Sequence, residues 1–109
     1  HLWDRKTMVK RLMGNEQKAV EILGLFYADC VRRTQQLKQL LADGDAAGAA
    51  RHAHTMKGAA SNVGSEAIRR SVSAVEEAAE AGNLDGAMGH LAEMEAQLQR
   101  LEELLRKYR

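Results

Sequence analysis

His54, Lys57 and Gly58 form a group whose residue types and spacing could carry chemistry. Apolar residues at Ala46, Ala49, Ala53, Met56, Ala60 and Val63 recur in steps of three and four, which predicts a helix with one buried stripe. At about 100° per residue, His54 falls roughly 130° from the middle of that stripe, so its imidazole is expected in solvent. Ala47, Ala50, Lys57, Gly58 and Ser61 lie on the same side, and of these only Lys57 is large. Glycine inside a helix costs about 1 kcal/mol relative to alanine. One turn after His54, that cost has a reason in access to the ring. Lys57, three residues on, can set an ammonium beside whatever the imidazole carries. A nucleophilic nitrogen with a neighbouring cation and an open approach suits acceptance of a phosphoryl group, whose negative charge must be balanced.

Holding such a helix requires a scaffold, and the chain supplies a helical one. Leu2 to Met13 reads as a short first helix with Trp3, Met8, Val9, Leu12 and Met13 as its apolar edge, too short to stand alone. Trp3 is expected as a lid over one end of the core. Gly14-Asn15 then stops one helix and caps the next. From about Glu16 to Ala42, the positions Val20, Leu23, Tyr27, Cys30, Thr34, Leu37 and Leu41 describe a long amphipathic helix, thickened by Ile22, Phe26 and Leu40. Asp43-Gly44-Asp45 ends it and caps the His-bearing helix, and so short a turn makes the two antiparallel neighbours. Gly64-Ser65 repeats the stop and cap. Ile68, Val72, Val75 and Ala79 stripe a fourth helix, closed by Gly82-Asn83. Leu84, Met88, Leu91, Met94, Leu98, Leu101, Leu105 and Tyr108 stripe the last. The expected fold is all-α: an antiparallel up-down-up-down four-helix bundle with a short additional N-terminal helix.

Size and composition bound the function. The 109 residues read as a single domain spanning 1–109, with His1 set aside as a tag remnant. The absence of proline and the abundance of Ala, Leu, Glu, Lys and Arg favour helix. A formal net charge of +1 with interspersed signs is unlike a nucleic-acid binder, so no nucleic acid is expected as a partner. No apolar run approaches the roughly 20 residues of a membrane span, and no secretory signal is visible, so a cytoplasmic protein without direct membrane insertion is expected. The lone Cys30 sits on an apolar stripe and reads as a small buried hydrophobe. Arg69-Arg70 and the mixed charges from Glu93 to Arg109 read as solvated helix faces.

Several chemistries are missing. There is no Gly-x-x-x-x-Gly-Lys loop and no kinase-like glycine loop, hence no evident means of binding ATP, and the phosphoryl group must come from another macromolecule. His52 and His54, two apart, point to different sides of a helix, and there is no His-Glu-x-x-His pattern, no cysteine pair and no convergent carboxylate cluster. No metal and no cofactor of the chain's own are expected. His90 reads as structural or solvent-facing.

The run His54-Thr55-Met56-Lys57-Gly58-Ala59-Ala60-Ser61-Asn62-Val63-Gly64 closely resembles the signature of histidine-containing phosphotransfer domains: His, a small polar residue, an apolar residue, Lys, Gly and a later second Gly. The likeness continues more weakly from Leu12-Met13-Gly14-Asn15-Glu16 through Leu25-Phe26 to Glu76-Glu77-Ala78-Ala79. It implies that His54 accepts a phosphoryl group from the aspartyl phosphate of a receiver domain, on its outer ring nitrogen, and passes it to the same or another receiver. Lys57 then compensates charge, Gly58 gives steric access, and Mg²⁺ belongs to the receiver. Imidazole is mostly neutral at cellular pH, so no dedicated base is required. Docking is expected on the exposed side of the His helix, with Ala47, Ala50, Arg51, Ser61 and Asn62 as candidates beside Gly58, plus part of a neighbouring helix that the sequence leaves open. Partners are thus response-regulator receivers and, as a second, a covalently linked hybrid histidine kinase; the Ala59-Ala60-Ser61-Asn62-Val63 continuation favours that type. The protein is expected to be a monomer. The alternatives are the phosphoacceptor domain of a chemotaxis-type histidine kinase, and a non-catalytic helical interaction bundle that would leave Lys57 and Gly58 as accidents.

Overall fold

Helix starts are written in short polar side chains. Asp4, Asn15, Asp45 and Asn83 each accept a hydrogen bond from the backbone N–H three residues on, at Thr7, Lys18, Gly48 and Gly86. They open α1 (Arg5–Arg11), α2 (Glu16–Ala42), α3 (Ala46–Val63) and α5 (Leu84–Arg106). α4 (Glu66–Glu80) starts at Ser65, whose side chain makes no cap bond. The structure is a computed structural model and describes residues 1–108. Gly44 and Gly64 take positive φ of 77° and 78°, as the left-handed stops before the next helix require.

The apolar stripes decide the packing. α2 buries Leu23, Phe26, Cys30, Thr34, Leu37 and Leu41, and α3 buries Ala49, Ala53, Met56, Ala60 and Val63. α4 contributes Ile68, Val72, Val75 and Ala79, and α5 contributes Leu91, Met94, Leu98, Leu101 and Leu105. Each long helix packs against its two neighbours in the ring α2, α3, α4, α5, with α2 closing onto α5. The result is the expected up-down-up-down bundle, with extents of 44 × 22 × 18 Å. Cys30 is fully enclosed, and burial pushes its thiol up to about 12, so it behaves as a hydrophobe. Arg69 and Arg70 both reach Glu66 on their own helix, as solvated faces do.

Two expectations shift at the ends. The first helix runs Arg5–Arg11 rather than from Leu2 to Met13: Asp4 is the N-cap, and Met13, at φ 57° and 95% exposed, ends it together with Gly14. Leu2 and Trp3 precede the helix. The Asp4 N–H donates to the Gly64 carbonyl at 2.8 Å, which lays this segment across the α3–α4 turn. Trp3 is the expected lid, with its indole N–H on Met8 Sδ at 3.3 Å and its ring edge-on to Tyr108 at 6.0 Å. In α5 the buried stripe enters at Ala87; Met88 is exposed and Leu84 half-buried, because the step of four from Ala87 to Leu91 continues the three-four rhythm of the stripe.

Candidate functional site

His54 sits mid-way along α3, and its side chain is 71% exposed, as the helical wheel requires. α3 is 18 residues long with small Ala residues on its core side, so it packs close to α4. That closeness brings a side chain from the neighbouring helix to the imidazole. Glu76 of α4 places Oε2 3.0 Å from His54 Nδ1 and Oε1 2.6 Å from Lys57 Nζ. One carboxylate thus holds both residues, and sequence reasoning, which found no convergent carboxylate, missed it. A signal was present: Glu76 lies four residues after Val72 and three before Ala79, on the apolar stripe of α4, where a charge needs a partner.

The electrostatics follow. Glu76 is buried, and a carboxylate there must be compensated. The ammonium of Lys57 is the largest influence and holds the carboxyl below its usual value; burial opposes this, and the bond with His54 adds to the lowering. Because Glu76 is ionised, it can only accept, so His54 Nδ1 must carry the proton. In the neutral ring the lone pair is then on Nε2. A chain of three groups from buried carboxylate to exposed ring nitrogen presents a nucleophile outward, without a base having to act on it.

Lys57 is held by the same carboxylate: its spacing from His54 is helical, and its ammonium rests on Glu76. An ammonium has three donors, so the bond to Glu76 leaves others for a group on Nε2. At Gly58, an added Cβ would meet nothing within 4 Å. The glycine is exposed and leaves open space beside the ring, which fits access and leaves no packing reason for it.

Of the remaining predicted positions, Ala47, Arg51, Ser61 and Asn62 are exposed and Ala50 half-buried, on the same helix as His54. The Asn62 carbonyl accepts from Arg11, so α1 borders that end of the surface. On the other flank, Glu76 and Glu80 of α4 join Ala50, Arg51 and Thr55 around a hollow beside His54, so α4 is the helix that borders the imidazole on that side. The structure keeps the other histidines out of the site. His52 is half-buried, with a buried Nδ1 that has no partner, and His90 lies on α5 with Nδ1 3.6 Å from Glu93. Among the described residues, no three His, Cys, Asp or Glu side chains gather as a metal site, and no helix is long and apolar enough to cross a membrane.

Comparison with known proteins agrees with this fold. The chain superposes on the histidine-containing phosphotransfer protein B (HptB) of Pseudomonas aeruginosa PAO1 with a TM-score of 0.87 at 25% identity, covering 98% of this chain and 93% of that one. It also superposes on the histidine-containing phosphotransfer protein ZmHP2 from maize, with a TM-score of 0.75 at 20% identity over 99% and 85% of the two chains. A third likeness is to MtHPt2 from Medicago truncatula, with a TM-score of 0.72 at 21% identity over 82% and 64%. No curated protein matches significantly. The profile of the Hpt domain matches residues 21–104, which span α3, α4 and nearly all of α2 and α5, and the chain therefore belongs to the Hpt domain family of phosphorelay histidine phosphotransfer modules.

Proposed function

We propose that His54 is the phosphoacceptor of this module, with Nε2 as the reacting atom. The observation that carries the reading is the bond between Nδ1 and the buried Glu76 carboxylate at 3.0 Å. The Nε2 lone pair attacks the phosphorus of an aspartyl phosphate on a docked receiver. The bond from phosphorus to the aspartyl oxygen breaks, and the aspartate leaves as a carboxylate. Nε2 gains a phosphoryl group and the ring becomes cationic, still protonated at Nδ1, where Glu76 accepts the hydrogen bond and balances the new charge. Lys57 turns a free donor toward the phosphoryl oxygens while remaining on Glu76. Return of the phosphoryl to a receiver reverses each step. Mg²⁺ belongs to the receiver and supplies charge neutralisation at the phosphoryl oxygens when bound there.

The docking surface is the exposed side of α3 with Ala47, Ala50, Arg51, Gly58, Ser61 and Asn62, flanked by α4. The module is read as a cytoplasmic monomer, working with free receivers or fused to a hybrid kinase. The test is to incubate the protein with a receiver charged by acetyl phosphate and to measure acid-labile, alkali-stable label. Wild type takes up label and His54→Gln takes up none, with unchanged helix content by circular dichroism. Label retained by His54→Gln moves the acceptor elsewhere and refutes the assignment.

A further inference from the structure

The charge that arrives on His54 exceeds what Glu76 and Lys57 can balance between them. Before transfer, the carboxylate and the ammonium cancel one another at 2.6 Å, and the reacting imidazole is neutral. Transfer adds a metaphosphate-like unit to Nε2, so the ring and the phosphoryl group together gain one net negative charge. Lys57 can lend a donor to the phosphoryl oxygens, but its charge already offsets that of Glu76. A second cation is needed to close the balance, and α3 carries one.

Arg51 lies three residues before His54, as Lys57 lies three after it, so both share its side of the helix. Helical side chains lean toward the N-terminus, which sets the imidazole over the turn of Ala50 and Arg51. On that side is a hollow of about 460 Å³, lined by Ala50, Arg51, His54, Thr55, Glu76 and Glu80. Ala50 is small and half-buried, so nothing bulky separates Arg51 from the ring. Thr55 turns its hydroxyl back to the Arg51 carbonyl at 3.3 Å. Of the described residues lining the hollow, Arg51 is the only permanent cation. Among the described residues its guanidinium has no ion-pair partner, and neither has the Glu80 carboxylate. Two opposite charges thus border one hollow without joining. A planar fork of N–H donors, of the kind that binds phosphate with two parallel bonds, is left unengaged on the side toward which the ring leans.

We infer that Arg51 is a phosphoryl-binding residue: its guanidinium turns into the hollow and donates to the phosphoryl oxygens on His54 Nε2, supplying the positive charge that Lys57 spends on Glu76. The inference rests on His54 as the phosphoacceptor. The two cations then have different tasks. Lys57 holds the carboxylate that holds Nδ1, and Arg51 meets the arriving charge. Glu80, the unpaired carboxylate of the hollow, opposes this, because it competes for the guanidinium and repels the phosphoryl group.

The test leaves out the receiver, so that docking on the same surface cannot account for the result. Phosphoramidate, a small donor whose phosphorus–nitrogen bond breaks to release ammonia as the bond to Nε2 forms, is supplied to the whole chain, and phosphohistidine is followed by ³¹P NMR. Uptake at His54 is the part that His54→Gln abolishes. It should be roughly two- to fivefold slower in Arg51→Ala, the size of an exposed charge contact. It should recover in part in Arg51→Lys and quicken in Glu80→Gln. Added salt should slow the wild type more than Arg51→Ala, because the contact is screened, whereas a merely structural loss would leave the two salt responses parallel. The inference is overturned by equal uptake in wild type and Arg51→Ala, by a loss that Arg51→Lys leaves whole, by parallel salt responses, or by slower uptake in Glu80→Gln. A wild type that labels no better than His54→Gln refutes the phosphoacceptor reading itself, and this inference with it, which keeps the two failures distinct.

Discussion

Replacing Glu76 by Gln is the most informative single perturbation, because it keeps the shape of the side chain and removes the property that sets the tautomer. The carboxylate accepts from both Lys57 and His54. A carboxamide has only one oxygen, and Lys57, which cannot accept, claims it. The amide nitrogen then faces His54 Nδ1 as a donor, which favours the opposite tautomer and puts the proton on Nε2, where it blocks attack. A hydrogen bond to a charged group contributes about 1.5–3 kcal/mol, and a neutral one about 0.5–1.5 kcal/mol. The His54 side chain is 71% exposed, so water competes and the low end applies. A loss of ~1 kcal/mol corresponds to a roughly fivefold smaller reactive population and a similarly slower transfer. Single-turnover transfer from a phosphorylated receiver measures the rate, and the ¹⁵N shifts of the imidazole report the tautomer independently of it. Glu76 acts here as a positioning residue, so both readouts must move together. A folded Glu76→Gln protein that transfers at the wild-type rate, or whose ring keeps the proton on Nδ1, refutes the reasoning.

Lys57→Ala should slow transfer and also change the acid stability of the fold. Glu76 has its carboxyl lowered in the folded state, chiefly by Lys57. It therefore contributes stability above its unfolded value, about 4.3, and that contribution is lost as pH falls through the folded value. Thermal melts from pH 7 to pH 2 should show a shallower acid decline in Lys57→Ala than in wild type, and parallel curves would show that Lys57 does not set the Glu76 charge. Gly58→Ala should raise stability by up to about 1 kcal/mol, since nothing opposes the added methyl. Gly58→Trp should keep the fold and weaken receiver docking, as an isothermal titration would show; unchanged affinity would remove the steric role. Folded protein should leave Cys30 unmodified by thiol reagents at pH 8, with reaction appearing only in denaturant, because the thiol is enclosed and pushed up to about 12.

Local information goes far in this chain because helical periodicity is a local property. The stripes of α3 and α4, that of α2 from Cys30 onward, the caps at Asn15 and Asp45, the stops at Gly44 and Gly64, and the outward turn of His54 all follow from residues within one or two turns of each other, whereas in the first half of α2 Ala19 and Phe26 take the core positions expected of Val20 and Tyr27. Legibility declines at the ends of elements. There a cap at Asp4 competes with apolar residues on either side of it and shortens α1, and Met88 looks like a stripe residue until Ala87 is seen to hold that place.

Sequence by itself determined that the chain is a helical bundle, that His54 stands in solvent with Lys57 and Gly58 on its side of the helix, and that the run from His54 to Gly64 resembles the signature of histidine-containing phosphotransfer domains. Only the tertiary structure decided that Glu76, 22 residues further along, grips His54 and Lys57 together. The physical reason is that spacing along a chain reports neighbours on one helix. Which side chain of another helix comes into hydrogen-bond reach depends on how closely and at what offset the two pack, and the small residues of α3 set that only once α4 is laid against them.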